Sequence, residues 1–337
     1  MKKILLATTA LVATASFAAA DVSISGSAEM GLVGGDDQET RFHQDIDVTF
    51  KMSGETDGGL SFGAAVDLDE AQDNVGVDVD ALTNIPTIND STNDALDDTD
   101  QDGGVAIFIS GDFGTLTLGD TDGALDWAAT EAGNVGNPGS IADNETAHAG
   151  YQGSYADGAY DGQILRYDNT FGDFGVAVSV EMDDDQDGAG GNDATIDDMG
   201  FAVGLKYNVE LAGLDLALGG GYQSIDGGDA TALSVTTSFD NGLKAGVVYL
   251  QRNADAAGGD LTHIGIGFGY AADAFSVHLN YGQFDRETGG AADSSGFGLA
   301  AKYDLGGGAA VHFGYGMSDV DGADSTSDYS LGLSMSF

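Results

Sequence analysis

The sequence predicts an all-β chain, a 16-stranded antiparallel transmembrane β-barrel with short turns at one rim and long loops at the other. Three observations carry this. Apolar residues recur with period two along most of the chain. The connections between alternating segments are short and long by turns. Beyond the first 20 residues, no apolar run is long enough for a membrane-crossing helix.

The opening segment stands apart from the rest. Lys2 and Lys3, the mostly apolar stretch Ile4 to Phe17, and Ala18-Ala19-Ala20 follow the order of a secretory signal peptide. Residues 1–20 are therefore expected to be removed, leaving 21–337 as one barrel domain. No cysteine follows the alanines, so a lipoprotein is excluded. Cysteine is absent throughout, which also excludes a disulfide scaffold and thiol chemistry.

Each strand can be read from its two faces. Thr231, Leu233, Val235, Thr237 and Phe239 alternate with Ala232, Ser234, Thr236 and Ser238. Phe201, Val203, Leu205 and Tyr207 oppose Ala202, Gly204, Lys206 and Asn208. Tyr329, Leu331, Leu333, Met335 and Phe337 oppose Ser330, Gly332, Ser334 and Ser336. A helix would bring residues four apart together and mix these sets, whereas a strand keeps them separate. Continued along the chain, the alternation gives 16 segments. They start near Val22, Arg41, Gly59, Val105, Thr115, Gln163, Phe174, Met199, Leu214, Ala230, Leu243, Leu261, Ala274, Ser295, Ala309 and Asp328.

Short connections such as Gly172-Asp173 and Asp240-Asn241-Gly242 carry tight-hairpin chemistry. Long acidic ones fall between them, at about 70–103, 121–162 and 183–198. Pro86 and Pro138 both lie in long loops, away from the strand ladders. A soluble barrel of this size would need bulky apolar residues inside. Here one face carries Gly, Ser, Ala and Asp, so that face is expected to line water and the apolar face to meet lipid. Tyr207, Tyr222, Tyr249, Tyr270, Tyr281 and Tyr303, near strand ends, suit interfacial girdles.

Charge narrows the function. The formal net charge is −46, and removing Lys2 and Lys3 takes it to −48. Such a field attracts cations and repels nucleic acids, and the remaining basic residues are scattered rather than clustered. No nucleic-acid partner is expected. Gly-Lys-Ser/Thr, H-E-x-x-H and G-x-S-x-G are all missing, so the chain does not read as an enzyme.

Several motifs in order resemble one family. They are the start Asp21-Val-Ser-Ile-Ser-Gly-Ser-Ala-Glu-Met-Gly, the hairpin from Phe50-Lys-Met-Ser-Gly to Leu60-Ser-Phe-Gly-Ala, and Phe108-Ile-Ser-Gly-Asp-Phe-Gly-Thr-Leu-Thr-Leu-Gly-Asp. Lys302-Tyr-Asp-Leu-Gly-Gly-Gly-Ala and the alternation ending at Phe337 complete the set. Together they resemble the general diffusion porins of α-proteobacteria such as the Rhodobacter group. The resemblance implies a bacterial outer-membrane channel for ions and small hydrophilic solutes. It also implies a homotrimer among lipid and lipopolysaccharide, with the third external loop folded inward. That loop is assigned to about 121–162, after Leu118-Gly119-Asp120. Its side of the constriction would carry Asp120, Asp122, Asp126, Glu131, Asp143 and Glu145.

In this family, loop carboxylates face basic side chains on the opposite wall. Alternation sends Arg41, His43, Asp45, Asp47, Thr49 and Lys51 inward, because Phe42, Ile46, Val48, Phe50 and Met52 share the other face. Arg166 shares its face with Ile164 and Asp168, while Lys206, Lys302, His278 and His312 lie on polar faces. The wall candidates are therefore Arg41, His43, Asp45, Arg166, Lys206 and Lys302, with Lys51 and Lys244 nearer the turn rim. So few basic residues depart from the family pattern and point to cation selectivity.

Two loops carry D-x-D-x-D-G, at Asp98, Asp100 and Asp102 and at Asp183, Asp185 and Asp187. No cofactor is required, but this spacing could hold Ca²⁺ in external loops. Ile109 and Ala194 stand where an EF-hand has its last ligand, so these are not EF-hands. The alternative function is a non-channel surface or adhesion barrel. A wall-borne hydrolytic site using His263 or His278 and a secreted calcium-binding β-protein are more distant readings.

Overall fold

The computed structural model describes residues 21–36, 38–69, 76–79, 86–89, 104–155, 157, 163–182, 199–211, 213–225, 227–255, 257–287 and 291–337. The wall opens with β1 (Asp21–Gly35), β2 (Arg41–Glu55) and β3 (Ser61–Asp69). It continues with β6 (Val105–Gly111), β7 (Gly114–Gly119), β8 (Ile164–Phe171), β9 (Phe174–Met182) and β10 (Met199–Leu211). Next come β11 (Leu214–Ile225), β12 (Gly228–Ser238), β13 (Leu243–Ala254) and β14 (Leu261–Ala272). β15 (Phe275–Arg286), β16 (Ser294–Gly306), β17 (Ala309–Val320) and β18 (Thr326–Ser336) complete it. These strands form a closed barrel of 16, each antiparallel to its neighbours. All sixteen starts fall within two residues of those read from the alternation.

β18 returns to β1 in register from Ser27↔Ser336 to Gly35↔Asp328. The C-terminal residue adds to this seam: Phe337 N–H donates to Gly26 O at 2.9 Å. Closure leaves no free sheet edge in the hydrocarbon layer, where an unpaired N–H or C=O would cost several kcal/mol.

Two local features differ from the sequence reading. β4 (Gly76–Val79) and β5 (Pro86–Asn89) pair as a two-stranded ribbon within the first long connection, about 70–103. Pro86 thus begins a strand rather than lying in unpaired loop, and a first strand position tolerates its missing donor. The second long connection, about 121–162, contains a short helix, α1 (Ala124–Ala128), and a 3₁₀ turn at Ala132–Asn134.

The outward faces are as apolar as the pattern requires. Phe42 is 85% exposed and Leu233 62%, and Val22, Ile24, Phe201, Leu205, Ile264 and Leu279 are also exposed. Tyr222, Tyr249, Tyr270, Tyr281 and Tyr303 are exposed on the same side, and Tyr207 stacks on Phe174 with ring centroids 4.3 Å apart. In water this much exposed apolar surface would be an aggregation hazard. Against lipid tails it is the stable arrangement. An arginine at Leu233, midway along β12, is expected to cost about 2–4 kcal/mol in vesicle-embedded protein. Urea unfolding in bilayers would measure it.

Candidate functional site

The described part of the connection after β7, residues 120–155 and 157, does not project away from the barrel. It crosses the lumen and lies against the inner wall of β9 through β18 and β1. The wall sequence allows this because its inward positions are so small. A Cβ on Gly204 would sit 1.9 Å from Ala124 O, and one on Gly298 would sit 1.8 Å from Glu145 O. Backbone can approach backbone this closely only where no side chain intervenes. The small face was expected to line water. Along this arc it is covered by the loop instead, and its residues are small because a chain, not solvent, fills the space beside them.

The contact has its own apolar core. Ala124, Leu125, Ala129, Ala132 and Tyr155 of the loop pack on Ala177, Ala202, Ala230, Ala232, Val248 and Leu250 of the inner wall. Polar wall residues satisfy the loop backbone. Ala124 N–H donates to Ser179 Oγ at 2.8 Å, Thr130 N–H to Ser234 Oγ at 2.9 Å, and Ala149 N–H to Ser318 Oγ at 2.9 Å. Three buried histidines donate to loop carbonyls. His263 Nε2 reaches Gly150 O at 3.0 Å, His278 Nδ1 reaches Val135 O at 3.0 Å, and His312 Nδ1 reaches Gly139 O at 2.8 Å.

Sequence reasoning placed His278 and His312 on polar faces and named His263 and His278 only for a distant hydrolytic reading, not as anchors of the loop. The signal that could have found them is a repeat on the inward face, His-x-Gly-x-Gly at 263–267 and 312–316 and His-x-Asn-x-Gly at 278–282. A donor followed by two gaps marks where a backbone docks.

The loop acids divide by environment. Asp120 and Asp122 are exposed where β7 hands over to the loop. Asp126 is hydrogen-bonded to Glu131, and burial together with that neighbour pushes the Asp126 carboxyl well above the usual carboxylate range. Asn134 Nδ2 also donates to Glu131 Oε2, at 2.5 Å. Glu145 is buried and turned into the loop, accepting from Ser140 Oγ at 2.5 Å and Asn137 Nδ2 at 3.1 Å. Asp157 accepts from Gly123 N–H at 2.6 Å, and burial pushes its carboxyl up to about 6.

Asp143 lies at the exposed loop tip with φ of 46°, a backbone state that aspartate tolerates better than most residues. It faces the β2 wall. Although its side chain is exposed to the lumen, enclosure by the surrounding barrel pushes its carboxyl up first, then the charges of Glu145, Asp45 and Asp47, while His43 acts in the opposite direction.

The wall opposite the tip is acidic. Glu29 and Asp45 are direct cross-strand partners, as are Ser27 and Asp47. Ser27 Oγ donates to Asp47 Oδ2 at 2.7 Å, and Thr49 Oγ1 donates to Asp67 Oδ1 at 2.9 Å. Glu29, which sequence reasoning did not single out, lies within electrostatic reach of Asp143 and Glu145. His43 stands opposite Gly31, beside the loop residue Ile141, and its Nε2 has no hydrogen-bond partner among the described residues. Arg41 is exposed at the loop end of β2.

The other basic candidates lie elsewhere. Arg166 Nε pairs with Asp168 at 3.1 Å, the one ion pair among the described residues, and its Nη1 donates to Asp122 O at 2.5 Å. Lys206 Nζ lies 4.0 Å over the Trp127 ring of α1. Lys302 is opposite His312, toward the turn end of β16. The lumen therefore has a carboxylate arc on β1–β3 facing the loop tip and a basic pair on β8 and β10 at the loop root. Asp98, Asp100, Asp102, Asp183, Asp185 and Asp187 lie outside the described residues. Among the described residues, no group of three or more His, Cys, Asp or Glu is placed to hold a metal ion.

A closed, lipid-facing barrel of 16 antiparallel strands with a long loop packed into its lumen is the architecture of an outer-membrane diffusion channel. The profile of the Gram-negative porin family matches residues 7–323, and the chain belongs to that family. The porin of Rhodobacter capsulatus is 29% identical over 346 residues, covering 94% of this chain and 100% of that protein. A porin structure refined at 1.8 Å superposes with a TM-score of 0.66 at 23% identity, over 94% of this chain and 100% of the other. A triple mutant of the Rhodopseudomonas blastica porin gives a TM-score of 0.61 at 18% identity with the same coverage. The protein is an outer-membrane porin, a channel and not an enzyme.

Two outcomes follow from this geometry. Gly298→Val would drive a side chain into Glu145 O and is expected to cost about 1–3 kcal/mol of loop docking. Single-channel recording should show a lowered, noisier conductance from a barrel that still folds. The Asp157 carboxyl, raised when the loop is docked, favours docking at low pH and loses that contribution as pH rises through about 6. Asp157→Asn should therefore slow proteolysis of the loop at about pH 8 and leave it unchanged near pH 4.

Proposed function

We propose that this porin is a cation-preferring channel for ions and small hydrophilic solutes, working as a homotrimer. The observation that carries the preference is carboxylate on both sides of the passage, Asp143 on the loop tip and Glu29, Asp45 and Asp47 on the facing wall. Carboxylates set across a narrow, low-dielectric passage lower the energy of a cation there and raise that of an anion. His43 is the basic side chain that offsets them locally. Arg166 and Lys206 do little to reverse this, because Asp122 and Asp168 stand beside them. The remaining basic side chains are few against 56 acids in the whole sequence. The homotrimer is what the family implies, in a membrane of lipid and lipopolysaccharide.

Reversal potentials across a KCl gradient test the preference. The wild type should favour K⁺, and less so at high salt as screening shortens to about 3 Å at 1 M. A Glu29→Gln, Asp45→Asn, Asp47→Asn variant should lose most of that preference while keeping its conductance steps. A wild-type reversal favouring Cl⁻ would overturn the reading and put Arg166 and Lys206 in control. Chemical cross-linking in native membranes, with the trimer as the expected largest product, tests the assembly.

A further inference from the structure

All five histidines of the sequence lie inside the barrel where the loop meets the wall, at positions 43, 148, 263, 278 and 312. Two of them are joined through one asparagine into a chain that only neutral imidazoles can make. The Glu145 carbonyl fixes the Asn280 amide, because it needs a donor and receives Nδ2 at 2.8 Å. The same Nδ2 donates to His278 Nε2 at 3.0 Å, so that nitrogen carries no proton, and His278 Nδ1–H is free to donate to Val135 O. Asn280 Oδ1 then accepts from His148 Nε2–H at 2.6 Å, and His148 Nδ1 accepts from Gly150 N–H at 3.2 Å. Every donor meets an acceptor. One further proton on His148 Nδ1 would face Gly150 N–H, and one on His278 Nε2 would face the Asn280 amide N–H, while the Phe268 carbonyl also lies beside the His278 ring. His278, His148 and Asn280 are buried, His278 completely, so water cannot absorb the mismatch.

We propose that His148, Asn280 and His278 are the positioning residues that hold the inner loop against the wall, and that protonation of this chain releases the loop. The titratable groups facing the chain are Glu145 and Tyr151 from the loop and His263 from β14. The neighbouring strands β14 and β16 present Gly269 and Ala300 opposite His278. Among the described residues, no carboxylate touches either ring to take up a second proton. The loop already lies on the wall, so a released segment can move only into the open lumen. Release therefore narrows the pore and makes its current flicker. This concerns the loop alone and holds for either ion preference.

The test is single-channel recording of the purified protein at fixed salt while pH is lowered from about 7.5 to about 4.5, through the ordinary histidine range. Flicker frequency should rise roughly tenfold per pH unit below its onset, the dependence of one proton-linked release. In parallel, hydrogen exchange over 135–150, corrected for intrinsic rate, should rise over the same pH range. His278→Asn keeps a side-chain donor for Val135 O but cannot titrate there, and His148→Gln does the same toward Asn280. Each should move or abolish the onset. Carboxylate protonation would reduce current smoothly in every variant, without flicker. The proposal is overturned if wild-type flicker and exchange do not change over this range. It is also overturned if Asp126→Asn moves the onset while His278→Asn and His148→Gln leave it in place. The wild-type titration decides the matter even if a variant fails to fold.

Discussion

Sixteen strands enclose more volume than their own inward side chains can fill, and how that volume is occupied governs the inside of this protein. A segment of backbone fills much of it, and backbone can lie on a sheet only where the sheet offers gaps. The glycines of β10 and of β14 through β18 are those gaps. The serines and histidines between them supply the hydrogen bonds that a buried loop would otherwise lack. An apolar core forms where α1 meets β9–β13, inside the barrel rather than outside it. The outer surface needs no such complementarity, because lipid adapts to whatever apolar side chains it meets.

The electrostatics follow from where the loop runs. Its root lies beside Arg166 and Lys206, its middle under the histidines, and its tip opposite β1 and β2. Half-buried carboxylates at the root, Asp126 beside the buried Glu131 and Asp157 with Gly123, are tied to loop structure, and Glu145 is spent on Ser140 and Asn137. Asp143 is the predicted loop acid that reaches the free lumen opposite the acidic wall of β1 and β2, whereas the exposed Asp122 sits beside Arg166 and Lys206. Acidity in the loop thus has two uses, one architectural and one facing the solute, and only position separates them.

The barrel wall was legible in the alternation. Period two fixes which side of each strand meets lipid, and the turn chemistry at Asn241-Gly242 or Gly172-Asp173 fixes where strands reverse. The inward facing of His43, Asp45 and Lys206 follows from the same rule. What alternation cannot give is how far along the strand a residue lies from the loop that crosses it. Glu29 becomes prominent only because the tip at Asp143 comes to rest at its height, and that depends on contacts between Ile141 and the distant Gly31 and Gly332. Likewise, small inward residues look the same on paper whether they border water or backbone. The β4–β5 ribbon was missed because two four-residue strands lie below the length at which period two is recognisable.

The account depends most on the loop being seated against the wall. The absence of native cysteine allows a direct test with single cysteines and a small charged thiol reagent. Ser330 lies on the inner face of β18, completely buried beneath the loop near Ser140, and Asp143 is exposed at the loop tip. At neutral pH, Asp143→Cys should react rapidly and reduce the current, whereas the nearly isosteric Ser330→Cys should resist modification. Equal reactivity at the two positions would mean that the inner wall is open to water, and would contradict the seated loop on which the rest is built.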